Sequence, residues 1–87
     1  MKEIILEELS APNCHICKMF EEFWGSIKDQ FPNVKYRNIS VITPEGIEIV
    51  GKYGIFSSPG IIINGELFST GGFNKEKFLQ KLKELSQ

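Results

Sequence analysis

Cysteine is scarce in this chain, and no charge of one sign dominates it. Of 87 residues two are cysteine, one is histidine, and 10 lysines and arginines face 11 aspartates and glutamates, for a formal net charge of −1. That near-balance supplies no electrostatic pull toward nucleic acid or an anionic membrane. No apolar run approaches the roughly 20 residues that a membrane-spanning helix needs. The opening stretch, Met1–Leu9, has Glu3, Glu7 and Glu8 set into or beside its apolar residues, whereas a secretory leader has a basic start and an uninterrupted apolar run. A cytoplasmic protein is the expectation. No repeat, linker or low-complexity tract interrupts the chain, and a hydrophobic fraction of 41% suits a single globular domain over residues 1–87, near the lower end of what folds alone.

The two cysteines are Cys14 and Cys17. A structural disulfide stabilises by closing a long loop in the unfolded chain. A bridge across two residues closes almost nothing, so the pair is a poor staple. In a reducing compartment such a pair is more often catalytic or metal-binding. Zinc takes four ligands as a rule, and His15 is the only histidine, so a metal site would have to be shared by two chains.

Element signals follow in order. Ile4, Ile5, Leu6 and Leu9 make a mostly apolar strand of the kind found at the centre of a sheet, broken by Ser10–Ala11–Pro12–Asn13. Ile16, Phe20, Phe23, Trp24, Ile27 and Phe31 recur at helical spacing, with Asn13 as the expected N-cap and Phe31–Pro32–Asn33 as the stop. Val34–Val41 reads as a second strand with Val34, Tyr36 and Ile39 inward. Thr43–Pro44–Glu45 starts a short helix carrying Ile47, Val50 and Tyr53, which Gly54 ends. Pro59 precedes the strand Gly60–Ile63, Asn64–Gly65 is a strong hairpin signal, and Glu66–Ser69 returns. After Gly71–Gly72, Asn74 caps a last helix bearing Phe78, Leu79, Leu82 and Leu85, with Phe73 and Phe78 spaced for a hydrophobic staple. The order is βαβαββα: an α/β fold with a four-stranded mixed sheet and helices on both faces.

Placed between the first strand and the first helix, Cys14 meets unpaired backbone N–H groups and the positive end of the helix dipole. Both favour a thiolate and hold its pKa below the roughly 8.5 of a free cysteine. Cys17, one turn further on, is better hidden. Cys14 is therefore the nucleophile and Cys17 the resolving thiol. Ile16, Ile55 and Phe56 are candidates for an apolar patch beside the sulfurs that receives protein substrates, or else for ordinary core.

The βαβαββα order, the Cys14–His15–Ile16–Cys17 motif at the strand–helix junction and the proline before the third strand resemble the thioredoxin/glutaredoxin superfamily over essentially the whole chain, at glutaredoxin-like length. The resemblance implies a minimal thioredoxin fold and a thiol–disulfide oxidoreductase. It implies that Pro59 is cis and lies beside the cysteines, with Ser58 and Pro59 holding extended substrate backbone. Glu8, six positions before Cys14, matches the buried acid that relays a proton to and from the second cysteine in thioredoxins, although by strand alternation Glu7 is an equal candidate for the inward position. His15 between the cysteines and Lys18 after them are further candidates for tuning the thiolate. Gly71 and Gly72 resemble the glutathione-binding turn of glutaredoxins, but Asn74–Lys75 replace the acids that usually follow, and Pro12–Asn13 stand where a basic residue is usual. Three readings result: a dithiol reductase of protein disulfides, a glutathione-dependent oxidoreductase, and a non-catalytic binding or metal-bridged dimer module. For the first, the expectations are no organic or metal cofactor, protein disulfide substrates, a partner reductase as electron donor, no nucleic-acid or membrane partner, and a monomer.

Overall fold

Four strands and three helices form in the predicted order in the computed structural model, which describes residues 1–87. They are β1 (Ile4–Ser10), α1 (His15–Ile27), β2 (Val34–Ser40), α2 (Pro44–Tyr53), β3 (Gly60–Ile63), β4 (Glu66–Thr70) and α3 (Lys75–Leu85). The sheet runs β2-β1-β3-β4. β1 is parallel to β2, with Glu8 opposite Asn38, and antiparallel to β3, with Glu8 opposite Ile61. β3 and β4 form the expected hairpin, with an irregularity between Ile61 and Ile62.

Strand alternation sorts the apolar residues onto two faces. Ile4, Leu6, Ile61 and Ile63 face α1 and α3 and pack with Phe20, Trp24, Ile27, Phe31, Phe78 and Leu82. Leu9, Ile39 and Ile62 face the other way and form a smaller core with Ile55, closed by Ile49, Val50 and Tyr53 beneath α2. Phe20 is fully buried in the larger core and makes edge-on contacts with Phe73 and Phe78, at ring distances of 5.1 and 5.3 Å. Phe73 and Phe78 both also pack on Phe23, so the staple across the α3 cap is closed through α1.

The helix and turn signals beyond α1 act as read. The Thr43 hydroxyl accepts from the Gly46 N–H at 3.0 Å, and Gly54 ends α2 at φ 68°. Asn64 and Gly65 both take positive φ, the geometry of a tight hairpin turn. Asn74 caps α3 through the Lys77 N–H at 2.9 Å.

Four expectations need correction. α1 ends at Ile27 and a 3-10 turn over Lys28–Gln30 carries the chain to Phe31. β2 ends at Ser40, although the Val41 N–H still donates to the Ser10 carbonyl at 2.8 Å. Ile39 is inward but on the opposite face from Val34 and Tyr36, as odd spacing in a strand requires. In α2, Ile47 points to solvent, and Ile49 joins Val50 and Tyr53 in the core.

Candidate active site

The chain leaves β1 at Ser10 and must turn at once into α1. Asn13 makes that turn in the left-handed region, at φ 58°, which asparagine tolerates better than most residues. It therefore stands outside the helix, and the cap falls to the next residue. Cys14 is the N-cap, and its sulfur accepts a hydrogen bond from the Cys17 N–H at 3.1 Å. The expected Asn13 cap is thus displaced by one position. Cys14 is partly exposed, whereas Cys17 is buried. The two are joined by a disulfide, with 5.3 Å between their Cα atoms. One sulfur is open to a partner and the other is sheltered beneath it.

A second loop meets the first at this point. The Ser58–Pro59 peptide is cis, and Pro59 is buried at the start of β3. The Ser58 hydroxyl lies 3.4 Å from the Cys14 sulfur as a hydrogen-bond donor. The loop is held from behind: the Gly71 N–H donates to the Pro59 carbonyl at 3.0 Å, and the Thr70 hydroxyl donates to that of Ser57 at 2.9 Å. Beside it, Ala11, Val41, Val50, Ile55, Phe56, Ser57 and Ser58 line an open, mostly apolar groove of 270 Å³.

Beneath α1, the alternation of β1 decides between the two acids. Glu8 falls on the face of Ile4 and Leu6 and has no exposed surface, while Glu7 faces the other way and keeps a weak contact with Arg37 at 3.8 Å. Burial raises the Glu8 carboxyl from its usual 4.5 to about 8. The Tyr36 hydroxyl opposes that rise, and the Glu21 carboxylate adds to it. Tyr36 donates to Glu8 Oε1 at 2.5 Å, and its own hydroxyl is pushed upward by burial and by Glu8.

The fold around this site matches known proteins. The model of the thioredoxin domain matches residues 4–84. The thioredoxin of Bacillus subtilis is 32% identical over 82 residues, covering 91% of this chain and 78% of that protein. The chain belongs to the thioredoxin family. Solved thioredoxin structures share the fold: the oxidized mitochondrial thioredoxin 3 of Saccharomyces cerevisiae has a TM-score of 0.76 at 19% identity, covering 98% of this chain and 81% of that one. The oxidized thioredoxin O2 of Arabidopsis thaliana has a TM-score of 0.77 at 12% identity, covering 99% and 77%. With its paired cysteines at a helix N-terminus, this thioredoxin domain is a thiol–disulfide oxidoreductase.

The remaining candidates are dispersed around the thioredoxin site. His15 opens α1 and Lys18 follows the cysteines; both are exposed. Phe56 is 88% exposed and Ile16 39% exposed on α1. Ile55 is buried in the core beneath α2 and also lines the groove with Phe56. Gly71 sits at φ 80°, where an added Cβ would meet the Ser57 side chain at 2.9 Å, and Gly72 has open space around it. Gly71 is accordingly explained by the close approach of the proline loop. Sequence reasoning did not single out three polar residues of the network at Glu8: Tyr36, which it placed inward only as part of β2, Glu21 and Asn38. Glu21 follows Cys17 by four residues, which places them on one helix face, and that spacing was the clue available.

Proposed function

We propose that the domain is a dithiol reductase of protein disulfides, working in the cytoplasm and recharged by a partner reductase. The observation that carries this is the asymmetry of the sulfurs: Cys14 is partly exposed and takes a hydrogen bond from a helix N–H, while Cys17 is buried. Backbone N–H groups and the helix dipole stabilise a Cys14 thiolate, and the Ser58 hydroxyl is placed to donate to the same sulfur.

The Cys14 thiolate attacks one sulfur of the substrate disulfide and expels the other as a thiolate. Cys17 then attacks Cys14, releases the second substrate sulfur, and leaves the intramolecular disulfide. Glu8, on the sheet face that α1 covers, is the candidate base for the Cys17 thiol. An extended substrate segment lies along the groove beside Ser58 and Pro59, in the manner of an added strand. In a reducing compartment a donor reductase returns the pair to the dithiol.

The test is reduction of insulin disulfides by the reduced protein, in the wild type and in Cys14→Ser. Turnover by the wild type and its loss in the variant are expected. Equal rates in the two proteins would overturn the assignment of Cys14.

A further inference from the structure

The loop that carries Ser58 is gripped on both sides by the end of β4. The Thr70 hydroxyl donates to the Ser57 carbonyl at 2.9 Å, and the Gly71 N–H donates to the Pro59 carbonyl at 3.0 Å. Ser58 lies between these two anchored carbonyls, with its hydroxyl 3.4 Å from the Cys14 sulfur. The Gly71 bond is made by the backbone. The Thr70 bond depends on a side chain, and on the face of the strand from which that side chain leaves. It fixes the plane of the Ser57–Ser58 peptide, from which the Ser58 side chain starts.

β4 reaches this geometry through its irregularity. Leu67 stands opposite Ile62, Ser69 opposite Ile61 and Thr70 opposite Gly60, so Phe68 is the extra residue of a bulge. Ile62 belongs to the smaller core, and Ile61 to the larger one, against which Phe68 also packs. In plain alternation residues 67 and 69 share one face of a strand, and 68 and 70 the other. Thr70 would then point with Phe68 toward the larger core. The extra residue reverses the phase. Thr70 shares the face of Gly60, where an added Cβ would meet Ile55 at 2.7 Å, and Ile55 lies two residues before Ser57. The reversal costs stability: Ser69 falls opposite Ile61, and its hydroxyl is buried without a hydrogen-bond partner. β4 is an edge strand, and bulges at sheet edges and beside active sites re-aim a side chain.

We propose that Thr70 is a positioning residue of the redox site: by fixing the Ser57 carbonyl it holds the Ser58 hydroxyl on Cys14, and the β4 bulge delivers it to that carbonyl. The proposal rests on the reading of Cys14 as the nucleophile. A hydrogen bond to a thiolate is stronger than one to a neutral sulfur, so Ser58 favours the reduced pair over the disulfide. When an external dithiol reduces the protein, two electrons pass to the Cys14–Cys17 bond and the dithiol closes to its own disulfide. One of its protons goes to Cys17 and the other to solvent, and Cys14 is left as the thiolate that Ser58 meets. Without the Thr70 hydroxyl, Ser58 is released and the disulfide becomes harder to reduce.

The experiment equilibrates the oxidised protein with dithiothreitol buffers of graded dithiol-to-disulfide ratio and counts protein thiols by alkylation. In Thr70→Val and in Ser58→Ala, the share of reduced to oxidised protein at a given buffer is expected to fall about fivefold. Thr70→Ser, which keeps the hydroxyl, is expected to match the wild type. With Ser58→Ala in place, adding Thr70→Val is expected to change the equilibrium no further, because two residues acting through one contact are not additive. Thr70→Ala also lacks the hydroxyl and is measured in place of the valine variant if that one does not fold. A wild-type equilibrium in either single hydroxyl-deleting variant would overturn the proposal. So would full additivity in the double variant, or a serine variant that behaves like valine. The equilibrium needs no protein substrate. Failure of the reductase reading would appear separately, as a wild type that cycles its disulfide yet reduces no insulin.

Discussion

The two halves of β1 face the same helix from the same side of the strand, and they differ in kind. Ile4 and Leu6 lie under Phe20, Trp24 and Phe78 in a dry aromatic core. Glu8 and Ser10, next along that face, meet Tyr36, Asn38 and Glu21 instead. Burying a carboxyl with an unsatisfied oxygen costs stability that a leucine in its place would not. The polar half lies toward the cysteine end of the strand, where a proton has to move. The fold gives up packing where the chemistry needs a titratable group and recovers it a few residues away.

The dry half should break hardest. Phe78→Ala removes a ring that contacts Phe20, Phe23, Trp24 and Phe68, and a loss of about 3–5 kcal/mol is expected from denaturant unfolding. A loss below about 1 kcal/mol would mean that the aromatic cluster is not the main support of this half.

The polar half should respond with the opposite sign. A carboxyl that titrates at about 8 when folded, against an ordinary 4.5, holds its proton more tightly in the folded chain. Its contribution is fully present below about 4.5 and is lost as pH rises to about 8. Glu8→Gln should remove that decline and stabilise the protein by a few kcal/mol at pH 9, below the ceiling of about 5 kcal/mol that a separation of about 3.5 pH units sets at roughly 1.4 kcal/mol per unit. Denaturation midpoints at pH 5, 7 and 9 supply the check; parallel curves for the two proteins would show that Glu8 does not titrate in this range.

The smallest effect sharpens the contrast without touching the packing. Tyr36→Phe keeps the ring that lies 5.9 Å from Trp24 and deletes the donor to Glu8. The Glu8 midpoint should rise further, because that hydrogen bond favours the ionised form. At pH 9 a destabilisation of about 1–3 kcal/mol is expected from the unpaired carboxylate. An unmoved midpoint in a carboxyl NMR titration would show that the hydroxyl does not hold Glu8.

Local chemistry made most of the frame legible. Thr43–Pro44, Gly54, Asn64–Gly65 and Asn74 each act through backbone groups within a few residues, and each does what its type suggests. The Asn13 cap failed because a cap depends on which residue takes extended backbone, and Asn13 is in the left-handed region. Ile47 was misread because α2 is ten residues long, too short for periodicity to choose among Ile47, Ile49 and Val50. Cys14, Cys17 and Pro59 were visible through motif and position. The choice of Glu8 over Glu7 was not, since β1 carries apolar residues on both faces. Tyr36, Asn38 and Glu21 reach Glu8 only through the register of β1 with β2 and the seating of α1, which no single stretch of sequence displays.

That Cys14 is itself the cap of α1 bears on how its loss should be read. Deleting a helix cap weakens a helix by about 1 kcal/mol, so alanine at this position would confound a missing nucleophile with a frayed first turn. Serine is among the preferred capping residues and can accept from the Cys17 N–H where the sulfur does now. The serine variant should therefore keep its first turn, and its silence in a reduction assay would report the absent sulfur alone.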